Sequence, residues 1–461
     1  MKKLTRKIAL ILVCCMTVNI IPVDSMSVKG LAAETDVKVR QVKQENPRTE
    51  TAFTPISVED ETIVNRELPI LEEGEVQTLT VAPHASGEGV YQEELKIWFD
   101  ADKGIVTDAD DDIKSLDLPQ MIEGTNVKAI GDKAFMNCVA LEKITLPKGL
   151  QTIGDTAFYR CEALSSIEIP ESVSKIGDGA FQDCKKLDSI EIPENVSKIG
   201  WYTFYNCWDL RDVILPEGIE YIEDGAFSNC ISLETIVIPD STKRIGRVRN
   251  SAYDDVDSLA GYYYGGVFEG CSKLREVSLG NSLSVIGSSA FGNCTALEEI
   301  HLPDGLETAG GMLFERCTCL KKVYLPKSLQ SISWMMFRGC TALEEIDIPE
   351  GVTEIQFYAF EGCLSLSSVT IPESVVSIGK GYRYVGWDYI AETCGGAFSG
   401  CPSLTYITIP ETVTKIYDRE DRDSSYSGWF YVNFDTSTIL RVKEDSRAER
   451  YAVSHNLNYI Y

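Results

Sequence analysis

Cysteine is the residue type with the most chemistry to offer in this chain, and its spacing is regular. Of fifteen cysteines, eleven stand three residues after a phenylalanine, from Cys138 and Cys161 through Cys363 to Cys401. Cys319 and Cys394 fall outside that pattern, and Cys14 and Cys15 lie near the start. Three chemistries are open to such a set: disulfides, metal ligation and attack by a thiolate. Metal ligation is disfavoured, because a tetrahedral site draws on closely spaced pairs rather than on thiols as distant in sequence as Cys138 and Cys161. A thiolate nucleophile needs a base beside it, and nothing places His84, His301 or His455 next to Cys394. Disulfides are permitted if copies of the pattern stack about 5 Å apart, although eleven thiols cannot all pair. The preferred reading is a row of buried free thiols, since cysteine is among the most buried residue types and suits a small apolar position. The run Asp108-Ala109-Asp110-Asp111-Asp112 lacks the glycine and glutamate that complete a calcium-wrapping loop, so it reads as a solvated turn. No catalytic residue, metal site or cofactor is expected.

The elements that must hold these cysteines repeat with them. The phenylalanines are Phe135, Phe158, Phe181, Phe204, Phe227, Phe268, Phe291, Phe314, Phe337, Phe360 and Phe398, and eight of their ten intervals equal the one from Phe135 to Phe158. Most copies read AFxxCxxLxxIxIPxxVxxIG, as in Ala157-Phe158, Cys161, Leu164, Ile167, Ile169-Pro170, Val173 and Ile176-Gly177. A fixed period in the twenties marks a solenoid, in which one coil cannot bury its apolar face alone and stacking makes the core. The alternation in LxxIxIP predicts a short strand, which proline ends because it cannot donate to a ladder. VxxIG predicts a second extended piece closed by glycine at a turn. AFxxCxxL has apolar residues at helical spacing and predicts a turn or two of helix. Parallel strands joined in this way are expected to coil right-handedly.

The pattern LxxIxIPxxVxxIGxxAFxxC resembles the BspA-type leucine-rich repeat of exported bacterial and protozoal proteins, over about residues 95 to 420. The flanks are similar too. Phe99-Asp100-Ala101-Asp102-Lys103-Gly104-Ile105 resembles the family's first unit, and Ala448-Glu449-Arg450-Tyr451-Ala452 its closing strand-helix-strand. The resemblance implies an α/β, strand-rich fold: a right-handed leucine-rich repeat solenoid of 23-residue coils with N- and C-terminal caps. It also implies a surface or secreted protein that binds proteins or glycans, without catalysis and without shared ligand-binding residues.

The organisation follows. Residues 1–33 have a basic start at Lys2, Lys3, Arg6 and Lys7, an apolar run and small residues at Leu31-Ala32-Ala33, the features of a cleaved signal peptide. Residues 34–90 are polar and charged and read as a flexible spacer. Residues 91–130 are expected to form an N-terminal cap unit, 131–420 the array, and 421–461 a C-terminal cap. No integral membrane segment is expected after cleavage, and the protein is expected to be secreted or held at the cell surface. A net charge of −27 makes nucleic acid a poor partner.

Two insertions break the period, near 247–264 and 380–394. They bring Tyr262, Tyr263 and Tyr264 into the first and Tyr384, Trp387 and Tyr389 into the second. Tyrosine and tryptophan give contact area at low entropy cost, so these six are the candidate ligand-binding residues, for an extracellular protein or glycan. The alternative is that the insertions cover the solenoid edge. Along the strand face the outward positions are mostly polar or small, except at Ile214, Val237 and Tyr324.

Overall fold

The computed structural model describes residues 89–249, 265–385, 388–392, 395–417 and 433–461, except for the side chains of 382–394. The chain divides into Met1–Lys38 and Val39–Tyr461, and every described residue belongs to the second unit. The expected signal peptide and nearly all of the expected spacer therefore lie outside the described residues.

The described residues open with a short antiparallel meander of β1 (Val90–Gln92), β2 (Ile97–Asp100) and β3 (Ile105–Ala109). Ile97, Phe99 and Val106 are fully buried, as the period-two pattern requires. β3 then pairs in parallel with Ala129–Ile130, which hands the chain to the repeats.

Each repeat contributes to two parallel rows. The first row is built of three-residue strands such as Lys143–Thr145, Ser189–Glu191 and Glu299–His301, with the central residue buried and its neighbours exposed. The second is built of two-residue strands such as Thr152–Ile153, Lys175–Ile176 and Lys198–Ile199. Register is carried residue for residue, Ile153 facing Ile176 and Ile190 facing Val213. Between the rows, the proline carbonyl accepts from the amide three residues on, as in Val173 N–H to Pro170 O at 2.9 Å. The glycine that ends the second strand is forced by contact. A Cβ at Gly177 would sit 2.4 Å from the amide nitrogen of Asp155 in the preceding repeat.

The segment carrying phenylalanine and cysteine is not helical, which corrects the expectation from spacing. Its backbone turns left-handed two residues before and two residues after the phenylalanine, as at Thr156 and Arg160 (φ 51° and 61°) or Tyr202 and Asn206 (54° and 59°). Left-handed residues cannot propagate an α-helix. The amides instead alternate. Lys133, Phe135 and Asn137 donate to Asp155, Ala157 and Tyr159 of the next repeat, while Ala134, Met136 and Cys138 donate within their own. The signal was present in the sequence: the residue after next to phenylalanine is Asn, Asp or Gly in most copies, the types that tolerate this conformation. Among the described residues the one α-helix is α1 (Arg447–Ser454), whose N-cap Ser446 accepts from Glu449 N–H at 3.1 Å.

Phenylalanine and cysteine fill the interior of these turns. The eleven rings stack nearly parallel at centroid spacings between 5.1 and 5.8 Å. Phe434 adds a twelfth ring 5.6 Å from Phe398, and Tyr451 of α1 meets it edge-on. From Cys161 onward each column thiol donates to the phenylalanine carbonyl of the preceding repeat, as in Cys184 Sγ to Phe158 O at 3.2 Å. That carbonyl also accepts the amide of its own repeat's cysteine, so the thiol satisfies its second lone pair. Cysteine is thus more than a small apolar filler. The eleven column cysteines are free and buried, and Cys319 is exposed.

Three outcomes test this interior. Replacing Phe181 with alanine removes one ring from a closed stack and should cost about 3–5 kcal/mol, read as a large loss of thermal stability. The second concerns protons. Burial pushes the thiols of Cys138, Cys271 and Cys317 up to about 12. An unfolded thiol ionises near 8.5, so between about 9 and 12 the unfolded chain binds fewer protons than the folded one, and stability falls as pH rises through that window. The unfolding midpoint should therefore decline from about pH 9 upward. A thiol reagent applied without reductant should label Cys319 promptly and the column only on unfolding.

Candidate binding surface

With the interior positions fixed by stacking, recognition falls to the residues that point outward. In the first row these include Glu191, Ile214, Val237, His301 and Tyr324, all exposed. Ile214 and Val237 stand out, at 56% and 64% exposure on consecutive repeats. A hollow of about 330 Å³ adjoins Ile214, walled by Ile167, Pro170 and Pro193 and edged by Glu168, Glu191 and Asp212. Further along, the His301 and Tyr324 rings stack at 3.9 Å because their strands pair in register. His301 Nε2 lies 2.9 Å from Glu299 Oε1, and Lys322 Nζ sits 5.0 Å from the Tyr324 ring centre. The arrangement offers apolar and aromatic contact framed by charge, which is the chemistry of association.

Of the six candidate residues in the insertions, Tyr262, Tyr263, Tyr264 and Trp387 lie outside the described residues. The second insertion is a two-stranded antiparallel hairpin, Tyr382–Val385 with Asp388–Glu392, whose backbone sets Tyr384 opposite Tyr389. At the first insertion a buried carboxylate and a half-buried one hold the two roots. Asp224 Oδ1 accepts Arg247 N–H at 2.8 Å where the chain departs, and Glu269 Oε2 accepts Gly266 N–H at 2.8 Å where it returns. Burial raises the pKa of both groups, partly offset by those amides.

Much of the acidic run from Asp108 to Asp112 is engaged locally. Asp110 Oδ2 accepts the Tyr91 hydroxyl at 2.8 Å, and Asp112 pairs with Lys96 at 2.8 Å. His455 Nδ1 lies 3.0 Å from the Tyr451 carbonyl oxygen. Among the described residues no His, Cys, Asp or Glu side chains gather as a metal site would need, and no helix is long and apolar enough to cross a membrane.

Sequence reasoning missed two features. Phe434 escaped because an irregular interval separates it from Phe398. The second row also aligns Lys198, Tyr221 and Arg244, one above another in register. The signal was available, since Lys198, Tyr221 and Arg244 recur at the repeat period in the VxxIG segment.

Comparison with known proteins agrees with this architecture. The family model for the BspA type leucine rich repeat region matches residues 128–258, 264–383 and 389–420. Solved structures similar to this chain include the pneumococcal vaccine antigen PcpA, 18% identical over 80% of this chain and 96% of that one, with a TM-score of 0.51. A leucine-rich repeat protein from Bacteroides ovatus is 24% identical over 77% of this chain and 97% of that one, with a TM-score of 0.47. A leucine rich cell surface protein from Faecalibacterium prausnitzii is 24% identical over 72% and 96%, with a TM-score of 0.39. No curated protein sequence matches. The family match spans most of the stacked repeats, and the paired strand rows and ring column are what its motif encodes: the chain belongs to the BspA-type leucine-rich repeat family.

Proposed function

We propose that this protein is an exported, non-catalytic binding module of the cell surface or its surroundings, engaging extracellular proteins in adhesion. The observation that carries the proposal is the pair Ile214 and Val237, apolar and more than half exposed on adjacent repeats, where the pattern elsewhere, Tyr324 apart, places mostly polar or small residues. Adjacent exposed apolar side chains edged by charge are the usual make-up of an association surface. The basic and apolar start of the sequence supports export.

The finer architecture is part of this reading. The repeats wind right-handedly, each coil as long as the step from Phe158 to Phe181. Residues 91–130 and 421–461 close the two ends, and 34–90 link the array to its leader. The insertions near 247–264 and 380–394 carry Tyr262, Tyr263, Tyr264, Tyr384, Trp387 and Tyr389 as further contacts. Both leave the coil between the second strand and the phenylalanine, hence from the same edge. Five coil steps separate Phe268 from Phe398, roughly 24 Å at the sheet spacing, so one extended partner reaches both.

Surface plasmon resonance of the full chain against a panel of extracellular proteins tests the proposal. A bound partner should be lost at least tenfold on the double change Ile214→Glu and Val237→Glu, with the melting temperature nearly unchanged because both side chains face solvent. Deleting residues 250–264 should weaken the same partner. Full binding by both variants would overturn the assignment, and unfolding on deletion would make the insertion a structural cover.

A further inference from the structure

The second strand row holds a different kind of site. Lys198, Tyr221 and Arg244 lie side by side on parallel strands in register, Lys198 facing Tyr221 and Tyr221 facing Arg244. Beneath them is Glu223, with its side chain 6% exposed. Three cations converge on that carboxylate: Arg244 at 3.0 Å, Lys198 at 3.4 Å and Arg247 at 3.7 Å. Trp201 Nε1 donates to it as well, at 3.3 Å. Burial alone would raise the pKa of Glu223, but Arg244, Lys198 and Trp201 outweigh it and hold the group ionised.

The buried acid gathers cation heads that remain open to water. The Lys198, Arg244 and Arg247 side chains are 46%, 27% and 55% exposed. Aromatic rings steady them further. The Arg247 guanidinium carbon lies 4.5 Å from the Trp201 ring centre, and that of Arg244 lies 5.5 Å from the Tyr221 ring centre. Arg249 adds a fourth positive charge, acting on buried Asp224. Arg249 also acts on Glu269, so four cations against Glu223, Asp224 and Glu269 leave an excess of one positive charge, in a chain whose net charge is −27. Lys243 adds nothing to that excess, because it pairs with Glu220 at 2.9 Å.

Beside the cluster, and sharing Lys198 with it, is a depression of about 310 Å³. Besides Lys198 its polar lining is Asp155, Ser174, Lys175, Asp178 and Ser197, so two carboxylates are matched there by two ammonium groups, and Gly177 and Gly200 leave it open. Hydroxyls, carboxylates and ammonium groups make up most of its lining, and Ile176 is the one aliphatic side chain there. Such a pocket suits a ligand covered in hydroxyls and gives an apolar side chain little to bury. A densely charged polyanion such as nucleic acid is disfavoured, since it carries a charge every ~1.7 Å and meets the acidic remainder of the molecule.

We propose that this depression and the adjoining cation cluster bind a carboxylated sugar, a uronic acid unit of an extracellular polysaccharide. The hydroxyls of the sugar ring bond Ser174, Ser197 and Asp178, and its carboxylate meets Lys198 and the ring-stacked Arg247. Planar guanidinium groups held on aromatic faces are already oriented for a carboxylate, so little freedom is lost on binding. The site lies on the other strand row from Ile214 and Val237 and stands without the protein-binding reading.

Isothermal titration calorimetry on the full chain tests it with a galacturonate disaccharide, the neutral galactose disaccharide, a short oligoglutamate and single-stranded DNA. The galacturonate should bind at least tenfold more tightly than each of the other three, and its affinity should fall as salt rises. Lys198→Gln and Arg247→Gln should each weaken it five- to tenfold while the chain stays folded, with only a small drop in melting temperature because Arg244 still pairs with Glu223. Ser197→Val should weaken it through the pocket alone. Absence of galacturonate binding, equal binding of the neutral sugar, equal binding of oligoglutamate or DNA, or indifference to both cation variants would overturn the proposal.

Discussion

The structure depends on one constraint: each phenylalanine must lie flat against its counterpart in the next repeat. Rings spaced between 5.1 and 5.8 Å leave room for one backbone layer per repeat and fix the distance at which both strand rows can bond. The left-handed residues on either side of the ring serve the same end. By breaking the helical path they turn every second amide toward the next repeat, so the turn is hydrogen-bonded along the stack as firmly as the strands are. The thiol then occupies the space left beside the ring and satisfies a carbonyl that has already accepted one amide. Ring, turn and thiol form one unit, which is why these residue types recur together.

Because that unit closes each repeat independently of how the chain arrives, insertions are tolerated just before it. Phe227 and Phe268 are separated by an inserted segment, yet their rings stack at 5.4 Å and Phe227 N–H reaches Val267 O at 2.9 Å. Phe360 and Phe398 behave alike at 5.1 Å. Extra residues there cost only loop-closure entropy, which grows slowly with length. The column therefore fixes where the protein can acquire new surface, and the carboxylates of Asp224 and Glu269 pin the departing and returning backbone of the first insertion.

Stacking also decides how charge is organised. Residues at one motif position become neighbours at sheet spacing, so a single change repeated over a few copies makes a surface patch. Arg338 lies between Glu315 and Glu361 of adjacent repeats, at 3.2 and 2.6 Å. Lys198, Arg244 and Arg247 collect around Glu223 by the same rule. A strongly acidic chain can thereby carry a compact cationic site without disturbing its core.

Most of the interior was legible in the sequence. The Phe, Cys, Leu and Ile columns, the proline that ends the first strand and the glycine that ends the second are each set by local chemistry repeated at a fixed period, and periodicity survives without knowledge of the fold. What the sequence could not decide was anything requiring two repeats at once. The AFxxCxxL spacing suited a helix; the Asn, Asp or Gly after the phenylalanine hinted at a left-handed turn, but what holds that turn is the inter-repeat bonds from Phe135 and Asn137. The thiol reads as a small apolar group until a carbonyl of the preceding repeat lies within reach of it. Phe434 joins the column, and Lys198 meets Glu223, only through stacking. The physical reason is the same throughout: one repeat encodes its own turns and strands, but its hydrogen-bond partners and counter-charges belong to its neighbours.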